Sequence, residues 1–198
     1  MRKIVVVESL TLDGVMQAPA RPDEDRRDGF EHGGWALPYR DSVMGAIMAE
    51  GMAEAGPLLF GRRTYEDFFN VWPGRKGNPF TQVLDDAPKY VASRTLREPL
   101  PWRNSTLLRG EAADAVTELK REHGKDIVVL GSGDLVQSLR RHGLVDEYLL
   151  MIHPLLLGSG RRLFPDPGAR GGLALVQSKV TTTGVVIATY RQADTASN

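Results

Sequence analysis

Short apolar runs alternate with stretches of helical spacing along most of the chain, and this alternation limits the folds open to it more than any other feature. The strand-like runs are Ile4 to Val7, Pro57 to Phe60, Lys89 to Ala92, Ser105 to Leu108, Asp126 to Leu130 and Tyr148 to His153. Between them, Val43 to Ala55 and Ala112 to Glu122 place apolar residues at helical intervals, and shorter helices are expected after Gly61-Arg62 and after Gly131-Ser132. Strands separated by helices need crossover connections, so the pattern predicts an α/β fold with a mostly parallel central sheet flanked by helices. The C-terminus changes character: Leu173 to Val180 and Val185 to Tyr190 are β-rich and only Thr181-Thr182-Thr183-Gly184 separates them, which predicts an antiparallel hairpin closing the sheet.

A chain of 198 residues suits one well-buried core, so a single domain over 1–192 is expected, with a short frayed tail over 193–198. No stretch approaches the ~20 apolar residues that span a bilayer. Met1-Arg2-Lys3 runs directly into the first strand, so no signal peptide is expected either, and the chain reads as cytoplasmic. Acidic and basic residues balance to zero net charge, which gives no reason to expect nucleic acid or a membrane as partner. Cysteine is absent, excluding disulfides, thiolate zinc sites and cysteine nucleophiles. Residues 10–40 are rich in Gly, Pro, Asp and Arg, and a loop this long is expected to frame an active site.

Four segments carry chemistry. In Leu58-Leu59-Phe60-Gly61-Arg62-Arg63-Thr64-Tyr65-Glu66 a buried strand ends at glycine and a helix opens with two arginines. That is either an anion site at a helix N-terminus or a helix start with solvated arginines. Ile127-Val128-Val129-Leu130-Gly131-Ser132-Gly133-Asp134-Leu135 repeats the strand, glycine turn and helix, and reads as a pyrophosphate cradle or a tight connection. The Rossmann fingerprint is not completed, since Val136 stands where its third glycine belongs. Tyr90-Val91-Ala92-Ser93-Arg94-Thr95 delivers a hydroxyl and a guanidinium at a strand end, suited to a 2′-phosphate if Arg94 converges with Arg62 or Arg63, and otherwise a capping serine beside a surface arginine. Ser9-Leu10-Thr11-Leu12-Asp13-Gly14-Val15 turns sharply at Asp-Gly after the first strand.

In this order the four segments resemble the dihydrofolate reductase superfamily, in the branch related to the C-terminal reductase domain of the bacterial riboflavin-biosynthesis deaminase-reductase. The resemblance runs from Lys3 to about Arg191. Its most specific pieces are Gly61-Arg62-Arg63-Thr64-Tyr65-Glu66, and Val145-Asp146-Glu147-Tyr148 continuing to Pro154-Leu155-Leu156-Leu157-Gly158-Ser159-Gly160-Arg161-Arg162-Leu163-Phe164. It implies a dihydrofolate-reductase-like fold and an oxidoreductase that uses NADPH. It also implies that Gly61, Arg62, Arg63 and Thr64 bind cofactor phosphates, that Ser93 and Arg94 lie near the 2′-phosphate, and that Gly131, Ser132 and Gly133 cradle the pyrophosphate with Leu135 close by. Ser9, Asp13, Gly14 and Val15 would border the nicotinamide. A homodimer formed through the sheet edge or the C-terminal strands is implied in the same way.

The chain departs from true dihydrofolate reductases where their proton-donating carboxylate stands. There an extended segment, Gly33-Gly34-Trp35-Ala36-Leu37-Pro38-Tyr39-Arg40, leads to Asp41, which is the candidate acid or a helix cap. Asp13 is the second candidate. Trp35 and Gly160 are expected to wall the substrate pocket. No metal site is expected: the four histidines His32, His123, His142 and His153 form no ligand motif. The function expected is hydride transfer from NADPH to a small heterocycle, of the dihydrofolate or 5-amino-6-(5-phosphoribosylamino)uracil kind. A non-catalytic NADPH-binding or regulatory protein of the same fold is the alternative.

Overall fold

The structure, a computed structural model, describes residues 1–165 and 170–193; residues 194–198 of the expected tail lie outside them. In chain order the elements are β1 (Ile4–Thr11), α1 (Ser42–Glu54), β2 (Leu58–Gly61), α2 (Arg62–Val71), α3 (Pro79–Asp86), β3 (Lys89–Ala92), β4 (Ser105–Leu108), α4 (Ala112–Arg121), β5 (Ile127–Leu130), α5 (Gly133–Arg141), β6 (Glu147–His153), β7 (Leu173–Val180) and β8 (Val186–Gln192). The hydrogen-bonded strand order is β4-β3-β2-β5-β1-β6-β8-β7. The described residues divide into two compact units that interleave in sequence, Met1–Val5 with Ala46–Val145, and Val6–Gly45 with the described residues from Asp146 onward.

In the first unit β4, β3, β2 and β5 pair in parallel. Leu58, Leu59 and Phe60 are fully buried in succession, as befits a strand covered on both faces. One side of α2 presents Tyr65, Phe68 and Phe69 to Phe60 and Trp102, the aromatic centre of this core, and Trp72 at the end of the helix packs on Phe68. α3 was not expected from the apolar spacing. It is set by its start, where Asn78 accepts a hydrogen bond from the Phe80 N–H at 2.9 Å and Pro79 occupies the first helical position. Lys89 is buried at the base of β3. Its Nζ donates to the carbonyls of Asp85 and Ala87 at 3.1 and 2.7 Å and lies 4.7 Å over the Trp102 ring. Burial above all lowers its pKa to about 8.

In the second unit β8 pairs antiparallel with both β6 and β7, so the predicted C-terminal hairpin is present. Its turn closes through Thr181 N–H to the Val185 carbonyl, with Gly184 at a left-handed φ of 83°. The long segment after β1 is packed: Val15, Ala18, Phe30 and Trp35 form a small core, and two short 3-10 helices, Arg27–Gly29 and Leu37–Tyr39, punctuate it. Among the described residues no helix is long and apolar enough to cross a membrane.

Candidate functional site

The register of the first unit brings three of the expected segments to one edge of its sheet. Gly61 is level with Ala92 on β3, and Leu59 is level with Val129 on β5, so Gly61, Ser93 and Gly131 all lie at the C-terminal ends of adjacent parallel strands. In open α/β sheets that edge is where ligands bind. Gly61 and Ser132 are joined directly: the Gly61 N–H donates to Ser132 Oγ at 2.9 Å, and that hydroxyl donates onward to the Leu130 carbonyl at 3.3 Å. Gly131 and Ser132 both take left-handed φ, at 57° and 66°. Gly131 passes so close to Thr64 that a Cβ there would stand 3.3 Å from the threonine methyl. The starts of α2 and α5 therefore lie side by side.

Neither start carries a side-chain cap. Ser132, the residue placed to cap α5, has spent its hydroxyl on β2, so two sets of first-turn amides with their dipoles lie beside each other. Leu135 is buried beneath them, its Cβ within 3.7 Å of where a Gly61 Cβ would be. Such a pair of N-termini suits a diphosphate.

The arginines are tied to separate carboxylates. Arg62 bonds Glu66 at 3.1 Å, Arg63 bonds Asp134 at 3.5 Å, and one guanidinium nitrogen of Arg94 lies 2.7 Å from each carboxylate oxygen of Glu111. The structure thus brings Gly61, Thr64, Gly131, Ser132, Gly133 and Leu135 together, while Arg94 faces α4 through Glu111. Ser93 accepts from the N–H groups of Thr95 and Leu96 at 3.1 and 3.0 Å, forming a local turn after β3.

In the second unit the turn after β1 closes through Thr11, whose N–H donates to the Val15 carbonyl while its hydroxyl accepts from the Val15 N–H. Gly14 holds φ at 81° in that turn. Asp13 ties the turn to the loop after β6: it accepts from Thr11 Oγ1 at 2.5 Å, from the Gly158 N–H at 2.8 Å and from the Leu157 N–H at 3.3 Å. The Thr11 hydroxyl first, then these amides, lower its pKa to about 2. Asp41 accepts from the Met44 N–H at 2.8 Å and, through its other oxygen, from Thr182 N–H and Oγ1 at 2.6 Å each. The Met44 amide and the Thr182 hydroxyl hold it at about 2 as well. Both candidate acids are thus ionised acceptors near neutrality, and Asp41 is a helix cap.

Trp35 and Gly160 occupy packing positions. Trp35 is buried, donates from Nε1 to the Gln17 carbonyl at 2.7 Å and meets the His153 ring edge-on at 5.1 Å. Gly160 holds φ at 116°, and a Cβ there would come within 2.7 Å of both Phe30 and Val15. His153 is buried with Nδ1 on the Met151 carbonyl at 2.9 Å. Burial lowers its pKa from the ordinary imidazole value, against the opposing effect of the Leu10 and Met151 carbonyls. Among the described residues no cluster of His, Asp and Glu could hold a metal ion.

One polar residue escaped the sequence reading. Glu8 lies on β1 between the apolar run ending at Val7 and the segment beginning at Ser9, and it is 4% exposed. The signal was available: at period two, Ile4, Val6, Glu8 and Leu10 share one face, so a carboxyl is carried inward with three aliphatics. Burial, then the negative charge of Glu24, push its pKa well above 4.5. A group raised in this way contributes stability that is complete below the unfolded value and is lost as pH rises through the folded one. Glu8→Gln, isosteric with the neutral acid, is expected to match the parent protein in thermal unfolding near about pH 5. It should exceed it progressively toward about pH 9, and parallel pH profiles of the two proteins would contradict this.

The family model of the RibD C-terminal domain matches residues 2–188. YyaP of Bacillus subtilis (strain 168), itself uncharacterized, is 28% identical over 194 residues, covering 96% of this chain and 94% of that protein. YwjB of the same organism, also uncharacterized, is 26% identical over 165 residues, covering 83% of this chain and 84% of its own length. A solved structure from Shewanella sp. PV-4, provisionally described as a riboflavin biosynthesis protein, superposes with a TM-score of 0.68 over 97% of this chain and 99% of that one, at 20% identity. The last likeness is one of fold.

Proposed function

We propose that this chain, which belongs to the RibD C-terminal domain family, is an NADPH-dependent reductase that delivers a hydride to a small heterocyclic substrate. The family is one of reductase-like domains, and the observation that carries the finer reading is the pair of uncapped helix starts at Gly61 and Gly133, linked by the Gly61–Ser132 hydrogen bond. Two adjoining N-termini with glycine approaches suit the pyrophosphate of a dinucleotide. Arg94, after Ser93, supplies the cation for the 2′-phosphate that distinguishes NADPH from NADH, and Arg62 and Arg63 serve the other cofactor phosphates. Ser9, Gly14 and Val15 are the residues of the second unit proposed for the nicotinamide. The cofactor supplies the hydride, and the protein supplies orientation and exclusion of water.

The substrate classes proposed are dihydrofolate and the ribosylaminouracil phosphate. Loss of NADPH absorbance with either one supports a reductase. Saturable NADPH binding without oxidation by either one supports the second reading, a non-catalytic NADPH-binding protein, which draws on Asp13 and Asp41 both being engaged as ionised acceptors. The absence of cysteine is in keeping with a cytoplasmic site of action.

A homodimer through β7 belongs to the same proposal. This strand ends the sheet order, and Leu175, Val176 and Val180 on it are more than half exposed. A long apolar edge strand is a template for pairing with another chain. Light scattering is expected to give twice the 21.8 kDa chain mass, and Val176→Lys is expected to return it to one. A parent protein of single-chain mass would rule the dimer out.

A further inference from the structure

We propose that Gln17 is a positioning residue that makes three stretches of the second unit open and close as one body: the turn after β1, residues 25–36, and the loop after β6. The proposal stands apart from the reductase reading. Under that reading the body carries Gly14 and Val15, and so sets the nicotinamide border as one piece.

The turn and the loop meet first through main chain alone. Val15 and Arg162 form an antiparallel bridge, with the Leu163 N–H donating to the Gly14 carbonyl at 3.2 Å and the Met16 N–H to the Arg161 carbonyl at 2.8 Å. At the next position a side chain takes over: the Arg161 N–H donates to Gln17 Oε1 at 3.0 Å. The other end of that amide serves the third stretch. Its Nε2 donates to the carbonyls of Asp25 and Arg27 at 3.3 and 3.1 Å, and the Gln17 main-chain carbonyl accepts from Trp35 Nε1 at 2.7 Å. One residue is thus bonded to Asp25, Arg27, Trp35 and Arg161.

Gln17 is 4% exposed, and a buried amide is costly unless its groups are paired. Freeing one stretch strands a buried donor or acceptor of this residue, so the cost of letting go falls on the whole network. The chemistry also restricts the residue type. Glutamate would set a carboxylate against two carbonyls, and methionine, similar in length, carries no donor. The backbone beside it is held just as firmly. Ala18 is buried at a left-handed φ of 50°, and its carbonyl accepts from the Gly34 N–H at 2.8 Å. A residue with a Cβ keeps that conformation only where its surroundings fix it. Local fastenings let each stretch move as a piece, among them Arg27 Nε to Asp25 at 2.8 Å and the Ala20 N–H to Glu24 at 2.6 Å.

The test is amide hydrogen exchange of the full chain, read residue by residue by NMR. In the parent protein the amides of Met16, Phe30, Gly34, Arg161 and Leu163 are expected to share one opening equilibrium constant within about threefold, as a cooperative unit does. In Gln17→Met these amides are expected to exchange at least about tenfold faster, while those of β6 and β8 stay within about twofold of the parent. The opening constants at Arg161 and Leu163 should then part from those at Phe30 and Gly34. Parent constants that differ by more than about tenfold between these two groups overturn the proposal, and this comparison decides alone if Gln17→Met does not fold. A folded variant in which Arg161 alone exchanges faster also overturns it, since that amide merely loses its acceptor. Equal acceleration throughout β6 and β8 overturns it as well and makes Gln17 a residue of general stability.

Discussion

Arg94→Ala is expected to weaken NADPH binding by roughly ten- to a hundredfold while leaving NADH within about twofold, because hydrogen bonds to a charged partner are worth about 1.5–3 kcal/mol and each 1.4 is a factor of ten. In the free protein one guanidinium nitrogen of Arg94 bonds Glu111, and both side chains are largely exposed. Only that nitrogen is engaged, and an exposed pair of that kind is worth at most about 1 kcal/mol, so a 2′-phosphate offering a denser charge and a second donor contact wins the guanidinium. The same comparison sets the effect of the competing carboxylate. Glu111→Gln is expected to tighten NADPH binding by no more than about fivefold. Fluorescence titration of both variants with both nucleotides checks the pair, and equal losses for NADPH and NADH in Arg94→Ala would show that the residue acts on something other than the 2′-phosphate.

The second large effect is on stability. Trp102→Ala is expected to destabilise the protein by about 4 kcal/mol, the usual cost of truncating a buried tryptophan, and to lower Tm by roughly 8–16 °C. Trp102 stacks on Phe60 at 6.3 Å between centroids, lies 6.1 Å from Tyr65 and 6.3 Å from Phe69, and donates from Nε1 to Asp85 at 2.6 Å. Its removal leaves a cavity, strips the ring from above the buried Lys89 ammonium and leaves Asp85 without its indole donor. Trp102→Phe keeps most of the ring and should recover more than half of the loss. Thermal unfolding of the two variants measures this, and a Tm within about 2 °C of the parent for Trp102→Ala would contradict the packing account.

Much of this architecture was legible in the chain because two periodicities are unusually clean. Pro57 to Phe60 and Asp126 to Leu130 read as parallel strands and fall within a residue at each end of β2 and β5; Lys89 to Ala92, Ser105 to Leu108 and Leu173 to Val180 match the observed strands end to end. α3 holds only eight residues, barely two turns for a period to repeat in, although its Asn78-Pro79 start is a readable cap. β1 was cut short at Val7 because Glu8 interrupts the apolar run, yet the inward alternation continues through it to Leu10.

The site was legible as segments. Glycine turns after apolar strands identified Gly61 and Gly131, and parallel pairing then brought them to one edge. What the sequence could not convey is how each side chain is spent. Ser132 reaches back to β2 instead of capping α5, Asp13 is consumed by the Thr11 hydroxyl and the Gly158 amide, and Trp35 is turned inward onto Gln17, whereas the capping of α1 by Asp41 was readable from its position and only its bonds to Thr182 were not. These outcomes depend on partners far along the chain, such as Gly158 for Asp13 and Thr182 for Asp41, and local pattern carries no information about them.

The central claim is that the paired N-termini of α2 and α5, with Arg62 and Arg63 at the start of α2 and Arg94 after β3, hold NADPH. It is tested most directly by titrating the purified protein with NADPH and with NADH, following nicotinamide fluorescence and quenching of the three tryptophans. Saturation by NADPH with binding of NADH weaker by at least about tenfold is the predicted result. Binding of neither nucleotide, or equal binding of both, would contradict it.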